Sequence, residues 1–364
     1  MTTSGIKPTS ERLAFLDGWR GLAIIAVMIG HFFPVPGMEF GSFGVELFFV
    51  LSGRLMAEIL FVRKLDAVEF LRRRFSRIYP ALLVFVSCVS IPALLSVELM
   101  HTREPLAQLP DIVAALTFTA SYLEFFFSRG LMFAHTWSLS VEEHSYLILL
   151  VLAWFTRRNA RLAMYCMMGA AILCVANGVI SSEHFGQREE LAYWRTDVRI
   201  ASILISASIY LAIREFDLKR FMHPALTLLA VPCALMMFAE QAPGYVKYGV
   251  ATLLLAWSVN TLDIAPKMVR EALSFRPLVW VGLISYSLYL WQQPFYVAAG
   301  RFREMGLIYV VVLVMAALCC AIGSYLLIEG PARRFINGID LRRRRLRQPA
   351  VGTVERFAQE PASR

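Results

Sequence analysis

Residues 19–33, WRGLAIIAVMIGHFF, decide the fold. Apart from Arg20 and His31, every residue in this stretch is apolar or glycine. Such a run belongs either in a large soluble core or in a bilayer. The chain has 364 residues, is 58% hydrophobic and only 17% charged, and has a mean hydropathy of +0.58. A soluble domain carries about a quarter charged residues. A soluble helical core would also show polar helix faces throughout, whereas here the apolar residues form runs near the ~20 residues that a membrane helix needs.

Ten such runs are read as spans: 17–36, 42–62, 78–98, 139–156, 162–180, 197–213, 223–240, 246–262, 279–298 and 307–328. A shorter apolar patch at 112–127 would change the parity, so charge has to place it. Basic clusters occur at Arg63 to Arg77, at Arg157, Arg158 and Arg161, at Arg214, Lys219 and Arg220, at Lys267, Arg270 and Arg276, and in the tail from Arg342. The intervening loops PVPGMEFGS and EQAPG carry no Lys or Arg. With ten spans every basic cluster falls on one side, the cytoplasm. The patch 112–127 is therefore expected to be re-entrant or interfacial, and both termini cytoplasmic. The expected organisation is an N-terminal tail (1–12), a transmembrane domain (13–336) and a basic, disordered tail (337–364) close to anionic lipid.

The first residues are polar and no small-residue cleavage site follows the first apolar run, so no cleaved signal peptide is expected. The six cysteines lie within apolar runs and form no C-x-x-C pair, so neither disulfides nor a metal site is expected. The net charge of +9 is explained by topology rather than by nucleic acid.

Arg20 and His31 are eleven residues apart, about 1100° of helix, or some 20° past three turns. They share one face of the first span, about 16 Å apart along its axis. A snorkelling anchor would explain Arg20, and a helix–helix hydrogen bond would explain His31. Their common face instead suggests a polar track across the membrane, because ionisable groups at depth face a cavity or a partner.

Two further sets fit that track. In LRRRFSRIYP, Arg73, Arg74 and Arg77 form one cationic patch if helical, and arginine forks suit phosphate oxygens. In HTWSLSVEEHSY, Ser140 and Glu143 read as an S-x-x-E capping box, whereas Glu142 has no structural excuse. A carboxylate there, level with His31, could orient an imidazole or a substrate hydroxyl. His135 and His144 lie nearby. In the second span Glu46 sits near the outer end, and Arg54 has Glu58 at i+4 as an expected internal ion pair. There is no G-x-S-x-G elbow, Walker loop or H-E-x-x-H motif, so a histidine acting directly on a hydroxyl is simpler than a covalent acyl-enzyme.

These blocks resemble the membrane acyltransferase-3 family. The similar segments, in order, are FLDGWRGLAIIAVMIGHF, FGVELFFVLSG, RRRFSRIYPALL, HTWSLSVEEHSYL, ISYSLYLWQQPF and IEGPARRF, covering about residues 13–336. The resemblance implies an O-acyltransferase, using cytoplasmic acyl-CoA (acetyl-CoA in the first instance) as co-substrate and a carbohydrate or glycolipid hydroxyl as acceptor. It implies His31 as base with Glu142 and Glu143, and donor contacts from Arg20, Arg73, Arg74 and Arg77. YWRTDVRIASIL resembles a further family segment. Glu46, His135, Asp197 and Arg199 are thus the candidates for substrate contact. A bacterial cytoplasmic membrane is the expected location. Two departures stand out: Arg54 replaces a large apolar residue, and Gln292 replaces a histidine. An extra esterase-like domain, present in some members, is not seen. The rivals are a transporter of a small anion or glycolipid, which should show a two-half repeat, and acylation of a secondary metabolite.

Overall fold

The computed structural model describes residues 10–99, 105–127, 132–184 and 189–347. Most of the N-terminal tail and the tail beyond 347 lie outside them. The described residues form helices and no sheet, and Met38 and Ala239 make one antiparallel bridge between loops. The helices, in chain order, are α1 (Ser10–Phe32), α2 (Phe40–Ala57), α3 (Ala67–Leu99), α4 (Pro105–Leu116), α5 (Ala120–Phe127), α6 (Trp137–Phe155), α7 (Ala160–Val179), α8 (Glu189–Trp194), α9 (Thr196–Arg199), α10 (Ala201–Glu215), α11 (Pro224–Met236), α12 (Ala251–Asn260), α13 (Lys267–Leu273), α14 (Arg276–Leu283), α15 (Ser285–Arg301), α16 (Leu307–Ser324) and α17 (Gly330–Arg347).

Among the described residues, six helical stretches are long and apolar enough to cross a bilayer: Ala14–Phe32, Ala67–Ile91, Ala134–Phe155, Ala160–Ser182, Thr196–Glu215 and Leu307–Gly338. The protein is therefore an all-α, multi-pass membrane protein. Four other runs read as spans fall on α2, α11, α12 and α15. α11 and α12 are short, whereas α2 and α15 carry Glu46, Arg54, Gln292 and Gln293, all buried. A polar side chain turned into a bundle lowers a helix's hydropathy without exposing it to lipid.

The bundle buries polar side chains within a large apolar core and is apolar outside. α2 packs against α1, α10 and α12. Gly53 sets the α2–α10 distance, since a Cβ there would stand 2.2 Å from the Ile203 carbonyl oxygen. Ser206 on α10 donates to the Val50 carbonyl, and Asn260 Nδ2 donates to the Ser206 carbonyl at 3.0 Å. Close backbones and hydroxyl hydrogen bonds are how helices associate where lipid is as apolar as leucine. Large exposed apolar side chains occur on many helices, among them Trp154 on α6, Leu173 on α7, Ile308 on α16 and Leu327 in the turn that follows it.

Helix ends follow local chemistry. Asn159 caps α7 by accepting from the Leu162 amide at 3.1 Å. His223 Nδ1 accepts from the Ala225 amide at 3.2 Å, with Pro224 opening α11. The patch 112–127 is split between α4 and α5. The break falls at Thr117–Thr119, where Phe118 has φ +58° and Thr117 Oγ1 donates to the Val113 carbonyl at 2.7 Å. α17 runs to Arg347, ten residues past 337 into the stretch expected to be disordered, and packs along α3.

The expected Arg54–Glu58 pair does not form. From Glu58 to Val62 the helix widens into a π turn, whose i→i+5 spacing brings Arg63 onto Glu58 instead: Arg63 Nε donates to Glu58 Oε1 at 2.9 Å. Arg54, 1% exposed, reaches across the bundle to the Val259 carbonyl and to Asp263, with Nη2 3.4 Å from Oδ1. Arg54→Leu should therefore lower stability by about 1–3 kcal/mol, because it leaves buried acceptors unmatched. Adding Asp263→Asn should recover most of the loss. Apparent melting temperatures in detergent report this, and an Arg54→Leu protein as stable as wild type would remove the pair from the stability account.

Candidate active site

The cationic cavity is built from α1, α2, α3, α6 and α15. Arg20 enters it from α1, Ser52 from α2, Arg74 and Arg77 from α3, Glu142 and Tyr146 from α6, and Tyr286 and Tyr289 from α15. It offers about 70 Å³ of internal space and is partly open to solvent. On α3 the i, i+3 spacing turns Arg74 and Arg77 inward together. Arg73, 100° away round the helix, pairs with Glu69 on the exposed side and does not line the cavity. Of the four arginines expected to form one donor set, three meet.

Two of the inward arginines are held by side-chain contacts. Arg20 Nη1 pairs with Asp17 Oδ1 at 2.8 Å. The Arg74 guanidinium lies 3.9 Å from the centroid of the Tyr146 ring. Glu142 accepts from Ser52 Oγ at 2.6 Å and from the Tyr146 hydroxyl. Three guanidinium groups and one carboxylate thus line the cavity, leaving an excess of positive charge in a recess walled by Phe48, Phe49 and Leu51. Such a recess suits a polyanionic ligand with an apolar arm.

The capping box expected at Ser140 does not exist. A 3-10 turn at Ala134–Thr136 starts the helix early, so Ser140 lies inside it and its Oγ donates to the Thr136 carbonyl at 3.1 Å. Glu143 is therefore free of a capping duty. Its buried Oε1 has no hydrogen-bond partner among the described residues. Glu142, expected level with His31, bonds instead to Ser52 and Tyr146 in the arginine-lined cavity.

His31 stands at the far end of α1, outside the residues that line the cavity. Its Nδ1 lies 2.8 Å from Gln292 Oε1 on α15, and its ring stacks on Tyr296 with centroids 4.4 Å apart and planes at 24°. Its orienting contact is thus an amide rather than either glutamate. His135 lies against Phe85 and Tyr289, 5% exposed, and neither ring nitrogen has a hydrogen-bond partner among the described residues. Its backbone carbonyl accepts from the Tyr289 hydroxyl, which also meets Ser138 Oγ at 2.6 Å. His144 Nδ1 lies 2.9 Å from Thr196 Oγ1.

Two of the acceptor candidates are paired with each other. Arg199 Nη2 lies 2.8 Å from Glu46 Oε2, and both side chains are buried. Arg199 also sits 3.7 Å from the centroid of Tyr248. Asp197 pairs with Arg195 and accepts from Asn177 Nδ2 at 2.7 Å. Neither pair lines the cavity.

Sequence reasoning missed Ser52, Tyr146, Tyr286 and Glu329 as parts of the site. Glu329 is buried beside the arginines. Its Oε2 accepts from Ser287 Oγ at 3.0 Å, and Arg333 lies 3.5 Å from Oε1. A lone acid closing the apolar run of α16 was the available signal, since an ionisable residue at depth is a functional candidate by default. Among the described residues, no three histidine, cysteine or acidic side chains converge in a way that could hold a metal.

Residues 13–328 match the acyltransferase-3 family, described as an acyltransferase domain. The chain is 28% identical over 352 residues to the O-acetyltransferase OatA of Staphylococcus aureus (88% of this chain, 57% of that protein). It is 29% identical over 359 residues to the putative peptidoglycan O-acetyltransferase YrhL of Bacillus subtilis (87% and 54%). It is 27% identical over 359 residues to the peptidoglycan O-acetyltransferase OatA of Listeria monocytogenes (88% and 56%). The chain thus spans little more than half the length of these relatives. No solved structure matches it. A family match over nearly the whole chain, on a multi-pass helical bundle, makes this protein a member of the acyltransferase-3 family.

Proposed function

We propose that the protein is an O-acetyltransferase of the cytoplasmic membrane, moving an acetyl group from cytoplasmic acyl-CoA to a hydroxyl of an envelope glycan. The observation that carries this reading is the meeting of Arg20, Arg74 and Arg77 in one cavity, with His31 on the Arg20 face of the same helix. The donor's phosphates bind the arginines through forked, charge-assisted hydrogen bonds. The pantetheine arm runs along the apolar wall towards His31. His31 takes the proton of the acceptor hydroxyl, whose oxygen attacks the thioester carbonyl. The carbon–sulfur bond then breaks, and the thiolate of coenzyme A recovers the proton from the imidazolium. Glu142 keeps Ser52 and Tyr146 in place beside Arg74. Glu143 and Glu329 add negative charge behind the guanidinium groups. The mutual pairing of Glu46 with Arg199 favours a role in holding α2 against α9 and α10.

The identity of two relatives, the peptidoglycan O-acetyltransferase OatA and the putative peptidoglycan O-acetyltransferase YrhL, supports a glycan acceptor. The family supports an acyl donor and disfavours a transporter. The test is transfer of labelled acetate from acetyl-CoA to peptidoglycan glycan strands by the purified protein in proteoliposomes. Base-labile label on the glycan is expected; donor consumption without glycan ester would overturn the acceptor.

The same mechanism needs the donor cavity at the inner face and His31 in the outer half, which ten spans with cytoplasmic termini provide. Single cysteines at Pro36 and Gln241, in an otherwise cysteine-free chain, should react with an impermeant thiol reagent on intact cells. Cysteines at Lys64 and Lys219 should react only after lysis. Labelling of position 219 from outside would reverse the bundle and separate the arginines from cytoplasmic donor.

A further inference from the structure

The contact between His31 and Gln292 joins residues 261 positions apart and is the only hydrogen bond that a His31 ring nitrogen makes among the described residues. An amide oxygen can only accept, so with Gln292 Oε1 at 2.8 Å the neutral imidazole carries its proton on Nδ1. The lone pair is then on Nε2. That edge of the ring points at Gly41, in the first turn of α2: a Cβ on Gly41 would stand 3.7 Å from both Nε2 and Cδ2. Gly30 and Gly41 also let α1 and α2 approach closely, since a Cβ on Gly30 would come within 2.3 Å of the Gly41 amide nitrogen. The glycine at 41 therefore leaves bare the side of the ring that carries the lone pair. Tyr296 stacks on the ring face and fixes its plane.

Gln292 itself is fully buried, and its Nε2 has no hydrogen-bond partner among the described residues. A buried amide with an unmet donor costs stability. An apolar residue of similar length would avoid that cost, so packing does not account for glutamine here. The amide oxygen of Gln292 can accept from the base but cannot exchange a proton with it.

We propose that Gln292 is the positioning residue of the base. It holds His31 as the Nδ1–H tautomer and turns Nε2 towards the gap beside Gly41, where the acceptor hydroxyl arrives. The inference rests on the reading of His31 as general base. In the step it governs, the hydroxyl proton passes to Nε2 as the oxygen's electron pair bonds to the thioester carbon. The electron pair of the carbon–sulfur bond leaves with sulfur, and the same proton passes from Nε2 to the thiolate. The other proton stays on His31 Nδ1, donated to Gln292 Oε1, throughout.

The test compares His31→Ala, Gln292→Met and Gln292→Glu with wild type, all at equal membrane abundance. One readout is ester-linked acetate released by mild alkali from envelopes of cells that make each protein. The other is the nitrogen spectrum of the protein labelled with ¹⁵N-histidine, using His31→Ala to assign the His31 signals. A general base contributes about 10²–10⁴-fold, so Gln292→Met, which has the length but no acceptor, should lose at least about 10-fold. Its His31 signals should shift from the Nδ1–H pattern to a tautomer mixture. Gln292→Glu restores an acceptor and should return activity to within about 3-fold of wild type. If His31→Ala is inactive while Gln292→Met keeps full activity and tautomer, the positioning role is overturned and the base stands. If Gln292→Glu is as poor as Gln292→Met, the acceptor function is overturned. If His31→Ala is active, the base reading falls.

Discussion

Replacing His31 by alanine will abolish acyl transfer while leaving the protein in the membrane. In the proposed mechanism the imidazole accepts the proton of the reacting hydroxyl, a contribution of about 10²–10⁴-fold when a side chain performs it in the transition state. Little structure depends on it. His31 lies at the end of α1, partly exposed, with one hydrogen bond and one stacking contact. The packing of α1 on α2 is set by buried residues such as Trp19, Ala23 and Val27, which the substitution leaves alone. The elution profile in detergent and the melting temperature should therefore match wild type. His31→Gln is the sharper control, because it keeps polarity and volume but cannot accept and return a proton at neutral pH. It should be as inactive as alanine. A glutamine variant with substantial activity would show that the position needs a hydrogen bond rather than a base, and would move the search to His135, a buried histidine packed against the cavity residue Tyr289.

How much of this was legible beforehand depends on whether a feature is local. The shared face of Arg20 and His31 follows from helical geometry alone, and both sit on α1 as the spacing requires. Three consecutive arginines cover about 200° of a helix. Nothing local says which of Arg72, Arg73 and Arg74 turns inward; Tyr146 and Phe70, which receive Arg74, decide it. The depth of Glu142 was misplaced because the 3-10 turn at Ala134–Thr136 opens the helix earlier than the apolar pattern does. Gln292 was visible as a departure from the family, yet its contact with His31 is tertiary and has no sequence period. The π turn after Ala57 redirected Glu58 in the same way, since an i+4 argument fails where the helix widens. Membrane character, by contrast, was plain from composition, because bilayer-facing surfaces must be apolar whatever the interior holds.

Replacing Arg74 and Arg77 together by glutamine will raise the KM for acyl-CoA steeply and leave kcat nearly unchanged. Both side chains line the cavity with Arg20, and each offers a planar fork to phosphate oxygens. Hydrogen bonds to charged groups are worth about 1.5–3 kcal/mol each, and each 1.4 kcal/mol is tenfold. Losing two should therefore raise the donor KM on the order of a hundredfold or more. In the proposed mechanism the phosphates lie far from the reacting carbonyl and are held equally in ground and transition states, so the loss should appear in KM. Arg73→Gln is the internal control. Arg73 has the same chemistry and is adjacent in sequence, but its exposed pair with Glu69 is of the kind worth at most about 1 kcal/mol. Its donor KM should stay within about twofold of wild type. Arg74→Lys should fall between the two, keeping the charge without the fork. If Arg73→Gln raises the donor KM as much as Arg74→Gln does, α3 has the other register when donor is bound. If the double variant alters only the acceptor KM, the arginines hold the glycan, and the donor has to be placed elsewhere in the bundle.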